Sequence, residues 1–440
     1  MGALRLIDRI EAEEAALSPL FAALDVGVSK TVCLAARHDP VLDMHPDRPL
    51  RVLGIGQQTA PAIASGKAAD FEACARAIQV AIADAAVMAG APIKRVVASY
   101  SGPGVSCRIV RASVRVRGSV ISGRDVESVL NAAAQMSAAP QVSTLHIEPL
   151  RYFIDDGEAI ADPHALPGKA LEVEAAIVTA PTEALNALRA CVRAAGAEVE
   201  EIMAGPYAAA LASLTAEERL EGAVLIDLGA GSVGFSVFGE DALMHTETLT
   251  TAGGVRLTRD LAAKLQTTFA AAERVKLHFG AVGNACDPRE AVQAPKIGLD
   301  GRLEAATTLR GVIADTLTPR VFEMMLLVRQ QLARAGFAGA EAPRRAVLVG
   351  GGAMIPGIRD IAAEALGMPV RIGRAGGGLC GFDQSEAGPA YAVAAGMLRW
   401  RLDNPELDEA DESFAPSFSQ AAAAMRNAVH GMWSWLRENF

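Results

Sequence analysis

The chain has 440 residues, 51% of them hydrophobic and 21% charged, so it holds apolar side chains enough for more than one core and is not a wholly disordered chain. Lysines and arginines number 41 against 51 aspartates and glutamates, and the resulting charge of −10 argues against a nucleic-acid partner, because phosphate affinity needs a positive field. The six cysteines form no C-x-x-C pair and the seven histidines no H-x-x-x-H pair, so we expect reduced, mostly buried thiols and no zinc site.

Residues 1–19 read as a polar, disordered extension without the apolar run of a signal peptide. Leu20 to Leu24 and Thr31 to Ala35 read as strands joined through Asp25-Val26-Gly27-Val28-Ser29-Lys30. Ala73 to Met88 is helical up to Gly90 and Pro92, and Val96 to Tyr100 is a buried strand ended by Gly102-Pro103-Gly104. A helix covers Ser122 to Met136, a strand Leu171 to Val178, and a helix runs from Pro181 to about Ala195, where Gly196 caps it. The pattern then restarts. Ala223 to Ile226 is a strand, Asp227-Leu228-Gly229-Ala230-Gly231-Ser232 follows, and Gly234 to Phe238 is a second strand. A strand–Asp-x-Gly–strand unit therefore occurs twice, with its aspartates 202 residues apart. Helices are expected at about Val255–Gln266, Thr268–Phe279 and Leu309–Ala335, and a strand, Ala346 to Val349, enters Gly350-Gly351-Gly352. Residues 401–420 read as a polar linker with an acidic run from Asp408 to Glu412. No run of 18 apolar residues occurs, so membrane contact would be peripheral.

An Asp-x-Gly hairpin alone is most often only a turn. Its glycines nevertheless let backbone N–H groups approach an anion, and its aspartate can hold Mg²⁺ through water. Two such hairpins, with Gly27 and Ser29 in one and Gly229, Gly231 and Ser232 in the other, could grip one polyphosphate from both sides. Lys30 would neutralise phosphate charge, and Asp25 and Asp227 would be the metal-side carboxylates.

The two hairpins together with the glycine run at 350–352 resemble the actin-like ATPase superfamily. That resemblance assigns Gly350, Gly351, Gly352 and Met354 to adenosine, reads Gly253-Gly254 as the glycine pair after the second hairpin, and places Glu273 and Lys276 near ribose and base. Within the superfamily the chain is similar to the FtsA family of bacterial division proteins. The similarity rests on Asp25-Val-Gly-Val-Ser-Lys30, Asp125-Val-Glu-Ser-Val-Leu-Asn131, Leu145-His146-Ile-Glu-Pro149, Ile154-Asp155-Asp156-Gly157, Ile160-Ala-Asp162-Pro163, Leu171-Glu-Val-Glu174 and Ile177-Val-Thr179.

The implied fold is α/β: an actin-like two-domain fold with duplicated strand–hairpin phosphate loops, an FtsA-type 1C insertion in place of actin subdomain IB, and a C-terminal amphipathic helix. The resemblance divides the chain into subdomain 1A (20–104, 182–222 and 385–400), 1C (105–181), 2A (223–257 and 331–384) and 2B (258–330). The linker 401–420 and a terminal helix 421–440 follow.

In that helix Met425, Val429, Met432, Trp433, Leu436 and Phe440 fall on one stripe about 100° wide. Arg426 and Arg437 are its cations. Partial insertion of six large apolar side chains is worth roughly 6–10 kcal/mol before the cost of ordering the helix, which describes a reversible anchor strengthened by avidity along a filament.

The resemblance thus implies an ATP- and Mg²⁺-binding filament protein that self-associates. It would tether the FtsZ C-terminal tail to the cytoplasmic face of the inner membrane at the division septum and recruit later division proteins. FtsZ would dock on subdomain 2B, where Lys296, Arg302 and Arg310 are candidates. Two features depart from hydrolytic relatives. Gly205 stands before Pro206 where several carry Glu, and Ala230 to Gly234 lacks the Asp that closes the second loop in the family. General-base assistance is worth roughly 10²–10⁴-fold, so ATP binding with slow turnover is expected and no catalytic residue is assigned. The alternatives are a pilus-assembly adaptor on the same fold and a sugar-kinase-like phosphotransferase, for which no Gly-Asp-Gln segment is present.

Overall fold

The computed structural model describes residues 20–38, 50–59, 63–64, 67–68, 71–376, 379–381 and 388–404. The 1–19 extension, linker residues 405–420 and the terminal helix 421–440, with its apolar stripe, Arg426 and Arg437, lie outside the described residues.

The first lobe begins with an antiparallel hairpin of β1 (Phe21–Val26) and β2 (Thr31–His38), to which β3 (Leu50–Gln58) adds antiparallel. Phe21, Ala22, Ala23 and Leu24 are all buried, the unbroken apolar run of a strand covered on both faces. Helix α1 (Phe71–Ala89) crosses the sheet, and β4 (Arg95–Tyr100) then pairs parallel with β1. The helix lies close on β3: a Cβ on Gly54 or Gly56 would overlap the carbonyl of Ala85 or Ala81. The chain's many alanines serve such short helix–sheet distances.

A separate antiparallel sheet comes next, in the order β5–β7–β6, from β5 (Ser106–Arg115), β6 (Val142–Ile154) and β7 (Ala170–Pro181). Helix α2 (Gly123–Met136) covers it with Val126, Val129 and Leu130. The Asp125 carboxylate accepts from the Ser122 backbone N–H (2.9 Å) and hydroxyl, which closes a capping box and holds its pKa below the usual carboxylate range. The chain returns through α3 (Thr182–Ala194) to β8 (Glu198–Ala204), which pairs parallel with β4. Helices α4 (Gly205–Ser213) and α5 (Ala216–Glu221) lead into the second lobe.

There β9 (Ala223–Leu228) and β10 (Val233–Gly239) form a second hairpin and β11 (Ala242–Leu249) adds antiparallel. Beyond α6 (Gly254–Leu265), α7 (Phe269–Phe279) and α8 (Arg310–Arg334), β12 (Arg345–Val349) pairs parallel with β9. Helix α9 (Ile358–Leu366) then leads to β13 (Val370–Ile372), parallel to β12. The order β11–β10–β9–β12–β13 repeats β3–β2–β1–β4–β8, strand for strand and sense for sense. The duplication read in the two Asp-x-Gly units thus extends to five strands of each sheet, and Leu379–Cys380 adds a sixth to the first, parallel to β3.

Helix α10 (Ala392–Asp403) brings the chain back against α4 and β1. The sequence starts the linker at 401, but α10 runs on to Asp403 with Arg401 and Asn404 buried. The Arg401 guanidinium donates to Glu200 (2.9 Å) and to the Asn404 carbonyl (2.9 Å) and lies 5.0 Å from the Phe21 ring centroid, so its charge is satisfied inside the lobe. Of the cysteines, Cys33, Cys74 and Cys191 are buried and Cys107, Cys286 and Cys380 only partly so, fewer buried thiols than expected; none of the six forms a disulfide.

Candidate functional site

The two hairpins end in loops of equal length, Gly27–Lys30 and Gly229–Ser232, each between the last paired residues of its strands. Both loops close tightly on themselves. Gly27 N–H donates to the Lys30 carbonyl (2.9 Å), and a Cβ on Gly229 would crowd the Ser232 carbonyl. Their tips meet: a Cβ on Gly231 would overlap the Val28 side chain, and the Ser232 hydroxyl donates to the Ser101 carbonyl at 3.0 Å. The loops therefore face one another across the junction of the lobes.

Around the junction sit Asp25, Lys30 and Asp227. Asp25 accepts from the Ser99 hydroxyl (2.6 Å), which stands near the carboxyl end of β4. Burial raises the Asp25 pKa, opposed by the Ser99 bond and Lys30. Burial, reinforced by the charge of Asp25, pushes Asp227 up to about 7. Lys30 is pushed down by burial while both aspartates push it back up. Two desolvated carboxylates that repel one another carry a like-charge strain that a divalent cation relieves. The donor set is all oxygen, as Mg²⁺ requires, and no group of three or more metal-ligating side chains occurs among the described residues.

The third element closes over this pair. Gly350 follows β12 at φ +83°, and a Cβ there would overlap the Asp227 carboxylate, so only glycine fits on two counts. Gly351, by contrast, faces open space, and Met354 is exposed beside it. Gly352 packs on Leu228. Gly253 lies on the second loop's backbone, and the first N–H groups of α6, from Gly254 and Val255, donate to Gly229 and Ala230 (3.0 and 2.9 Å). On α7, Lys276 donates to Glu273 (2.7 Å), to the Thr258 hydroxyl (2.9 Å) and to the Gly254 carbonyl (3.3 Å), while the Thr258 hydroxyl also bonds Glu273. Glu273 and Lys276 are thus tied to the helix that supports the second loop, not spread on a solvated face. Ser29 is exposed in the first loop.

Beneath the loops two glycines lie directly against neighbouring side chains, Gly205 within the first lobe and Gly234 across the lobes. A Cβ on Gly205 would overlap the Ser101 hydroxyl, and one on Gly234 would overlap Pro206. The place where a side chain at 205 would project is filled by Ser101. Ser99, Ser101 and Thr258 were not read from the sequence. Ser99 could have been found from the rule that ligands gather at the carboxyl ends of parallel strands.

Lys296, Arg302 and Arg310 do not converge with this site. Lys296 and Arg302 are exposed on a short hairpin, Lys296–Ile297 against Leu303–Glu304, beside exposed Ile297, Leu299 and Leu303. Arg310 is tied into the fold by Glu290 (2.8 Å) and the Phe279 carbonyl (3.1 Å). No helix among the described residues is long and apolar enough to cross a membrane.

Comparison with known proteins places this architecture. The family model "Cell division protein FtsA" matches residues 224–396, and the model for the SHS2 domain inserted in FtsA matches residues 102–179, which span the β5–β7–β6 sheet. The cell division protein FtsA of Agrobacterium fabrum is 31% identical over 96% of this chain and 95% of its own. That of Escherichia coli K12 is 26% identical over 96% and 98%. Among solved structures, a chain of a PilM–PilN type IV pilus biogenesis complex superposes with a TM-score of 0.59 at 19% identity, covering 86% of this chain and 98% of that one, a likeness of fold.

Proposed function

This chain belongs to the FtsA family of cell division proteins, and from that premise we propose that it is an ATP-binding, actin-like filament protein that ties FtsZ polymers to the inner membrane. The observation that carries the nucleotide reading is the convergence of the two hairpin loops, with Asp25, Asp227 and Lys30, under the glycine segment that starts at Gly350. In this reading the loop N–H groups and Lys30 hold phosphate, Asp25 and Asp227 hold Mg²⁺ through its waters, and Gly351, Gly352 and Met354 border the adenosine. Glu273 and Lys276 approach the ribose from α7. Magnesium supplies charge neutralisation of the polyphosphate when bound.

ATP acts here as a structural ligand. Glycine at 205, with Ser101 filling its side-chain space, leaves no carboxylate or amide at that position to orient a water. Steady-state turnover should lie well below about 1 per second, and a faster rate would remove this part of the reading.

The membrane and partner roles rest on the terminal helix, on the exposed basic and apolar hairpin at 296–304, and on the family. The FtsZ tail would meet Lys296, Arg302, Ile297 and Leu303, and residues 105–181 would face later division proteins and neighbouring copies. Electron microscopy on a lipid monolayer with ATP tests the assignment. Ordered filaments are expected from the intact chain and none from Trp433→Glu, whose ATP affinity should be unchanged. Equal lipid binding by both proteins would refute the anchor. Failure to bind a synthetic FtsZ C-terminal peptide would favour the pilus-type adaptor, the reading that the PilM likeness keeps open.

A further inference from the structure

This inference rests on the nucleotide reading above. A lysine placed near two carboxylates withdrawn from water should collapse onto one of them as an ion pair. Lys30 does not: among the described residues it forms no ion pair within 4.0 Å with Asp25 or Asp227. Its ammonium instead donates to the Ala390 carbonyl at 2.7 Å and lies 4.5 Å from the centroid of the Tyr391 ring. The ring is itself fixed, since the Tyr391 hydroxyl donates to Gln57 on β3 at 2.9 Å. Two residues before Tyr391, the Pro389 carbonyl accepts from Gly350 N–H at 2.9 Å. A single turn, Pro389–Tyr391, thus holds the phosphate-side lysine of one lobe and the first glycine of the adenosine segment of the other.

We propose that Tyr391 is a positioning residue of the nucleotide site, whose ring, with the Ala390 carbonyl, holds the Lys30 ammonium off the aspartates so that it is available to phosphate. The separation matters chemically. If Lys30 paired with Asp25 or Asp227, binding Mg²⁺-ATP would require that pair to be broken, at a cost to affinity. Held apart, the carboxylates remain for the cation and the ammonium for the anion, which is preorganisation of both. Burial works against the charge on Lys30, and the π-face and carbonyl supply part of what water would.

The test is a double-mutant cycle read by calorimetric titration of Mg²⁺-ATP into the full-length protein, with Lys30→Ala, Tyr391→Leu, Tyr391→Phe and the Lys30→Ala/Tyr391→Leu pair. Tyr391→Leu should weaken ATP binding about fivefold, the size of a partly desolvated cation–π contact. Tyr391→Phe, which keeps the face and loses the hydroxyl that bonds Gln57, should stay near wild type. In the Lys30→Ala background, Tyr391→Leu should have no further effect. A fivefold loss that persists without Lys30 would mean that Tyr391 only supports the fold. An unchanged affinity for Tyr391→Leu, or a loss with Tyr391→Phe as large as with leucine, would also overturn the proposal. An intact protein that binds no ATP would instead remove the nucleotide reading on which it stands, and a Lys30→Ala variant that binds normally would remove Lys30 from the phosphate site.

Discussion

Gly396→Ala should lower the stability of the protein by about 3 kcal/mol, although the same change on an exposed helix would raise it by up to about 1. Gly396 lies in α10, which is buried from Ala392 through Leu402 apart from Arg399. A Cβ there would overlap the Ala208 carbonyl of α4, and the obstacle is backbone, which cannot rotate away as a side chain can. The two helices would have to separate along their whole contact. The effect should also reach the site, because the first residues of α4 pack beneath the two loops: Gly205 against Ser101 and Pro206 against Gly234. Denaturant midpoints of the two proteins give the stability difference, and ATP affinity of the folded fraction gives the second effect. A midpoint equal to or above wild type would mean that α4 and α10 are not in backbone contact.

The parts of this arrangement that could be read in the sequence are those where one local geometry admits few residues. The hairpin loops needed glycine for their turns and an aspartate at the strand end, so both showed as Asp-x-Gly, and Gly350 showed because neither its φ nor its contact with Asp227 admits a side chain. What was missed depended on distant partners. Tyr391 reaches Lys30 across a sequence separation of more than 300 residues, and Ser101 owes its place to Gly205 and Ser232. Strand β6 did not show because Pro149 and two register shifts break its alternation. In β3, Gly54 and Gly56 look like turn signals but are contact points for α1. The acidic run of β8, Glu198 to Glu201, resembles a loop; Glu200 lies there because it neutralises Arg95 and the buried Arg401. Arg401 resembled a linker residue for the same reason, its carboxylate partner being 201 positions away.

Glu148→Gln should stabilise the protein above neutral pH and leave it nearly unchanged in acid. Glu148 lies on β6, where the inserted sheet meets α4, and its carboxylate accepts from the Tyr207 hydroxyl at 2.8 Å. The Tyr207 ring lies 4.8 Å from that of His146, whose Nε2 accepts from the Ala204 N–H just before α4. Burial holds His146 down at about 3, so it is neutral throughout and contributes no charge to balance the glutamate. Burial pushes Glu148 up from 4.5 to about 7, only partly offset by the Tyr207 bond. Between those values the folded protein holds a proton that the unfolded chain has released. Stability therefore falls as pH rises from about 4.5 to about 7 and is level beyond. The full shift corresponds to about 3 kcal/mol; because the residue keeps some solvent contact, about 2 kcal/mol is expected. Glutamine retains an acceptor for Tyr207 and never ionises. Asp227 and Glu201 are also raised to about 7 by burial and titrate over the same range, so the slope of the wild-type curve alone does not isolate Glu148. The difference between the two unfolding free energies does. It should grow from near zero at pH 4 to about 2 kcal/mol at pH 8, and a difference independent of pH would mean that Glu148 ionises freely. Since this carboxyl sits where the inserted sheet grips the helix beneath the two loops, the same titration should loosen that grip as pH rises toward about 7.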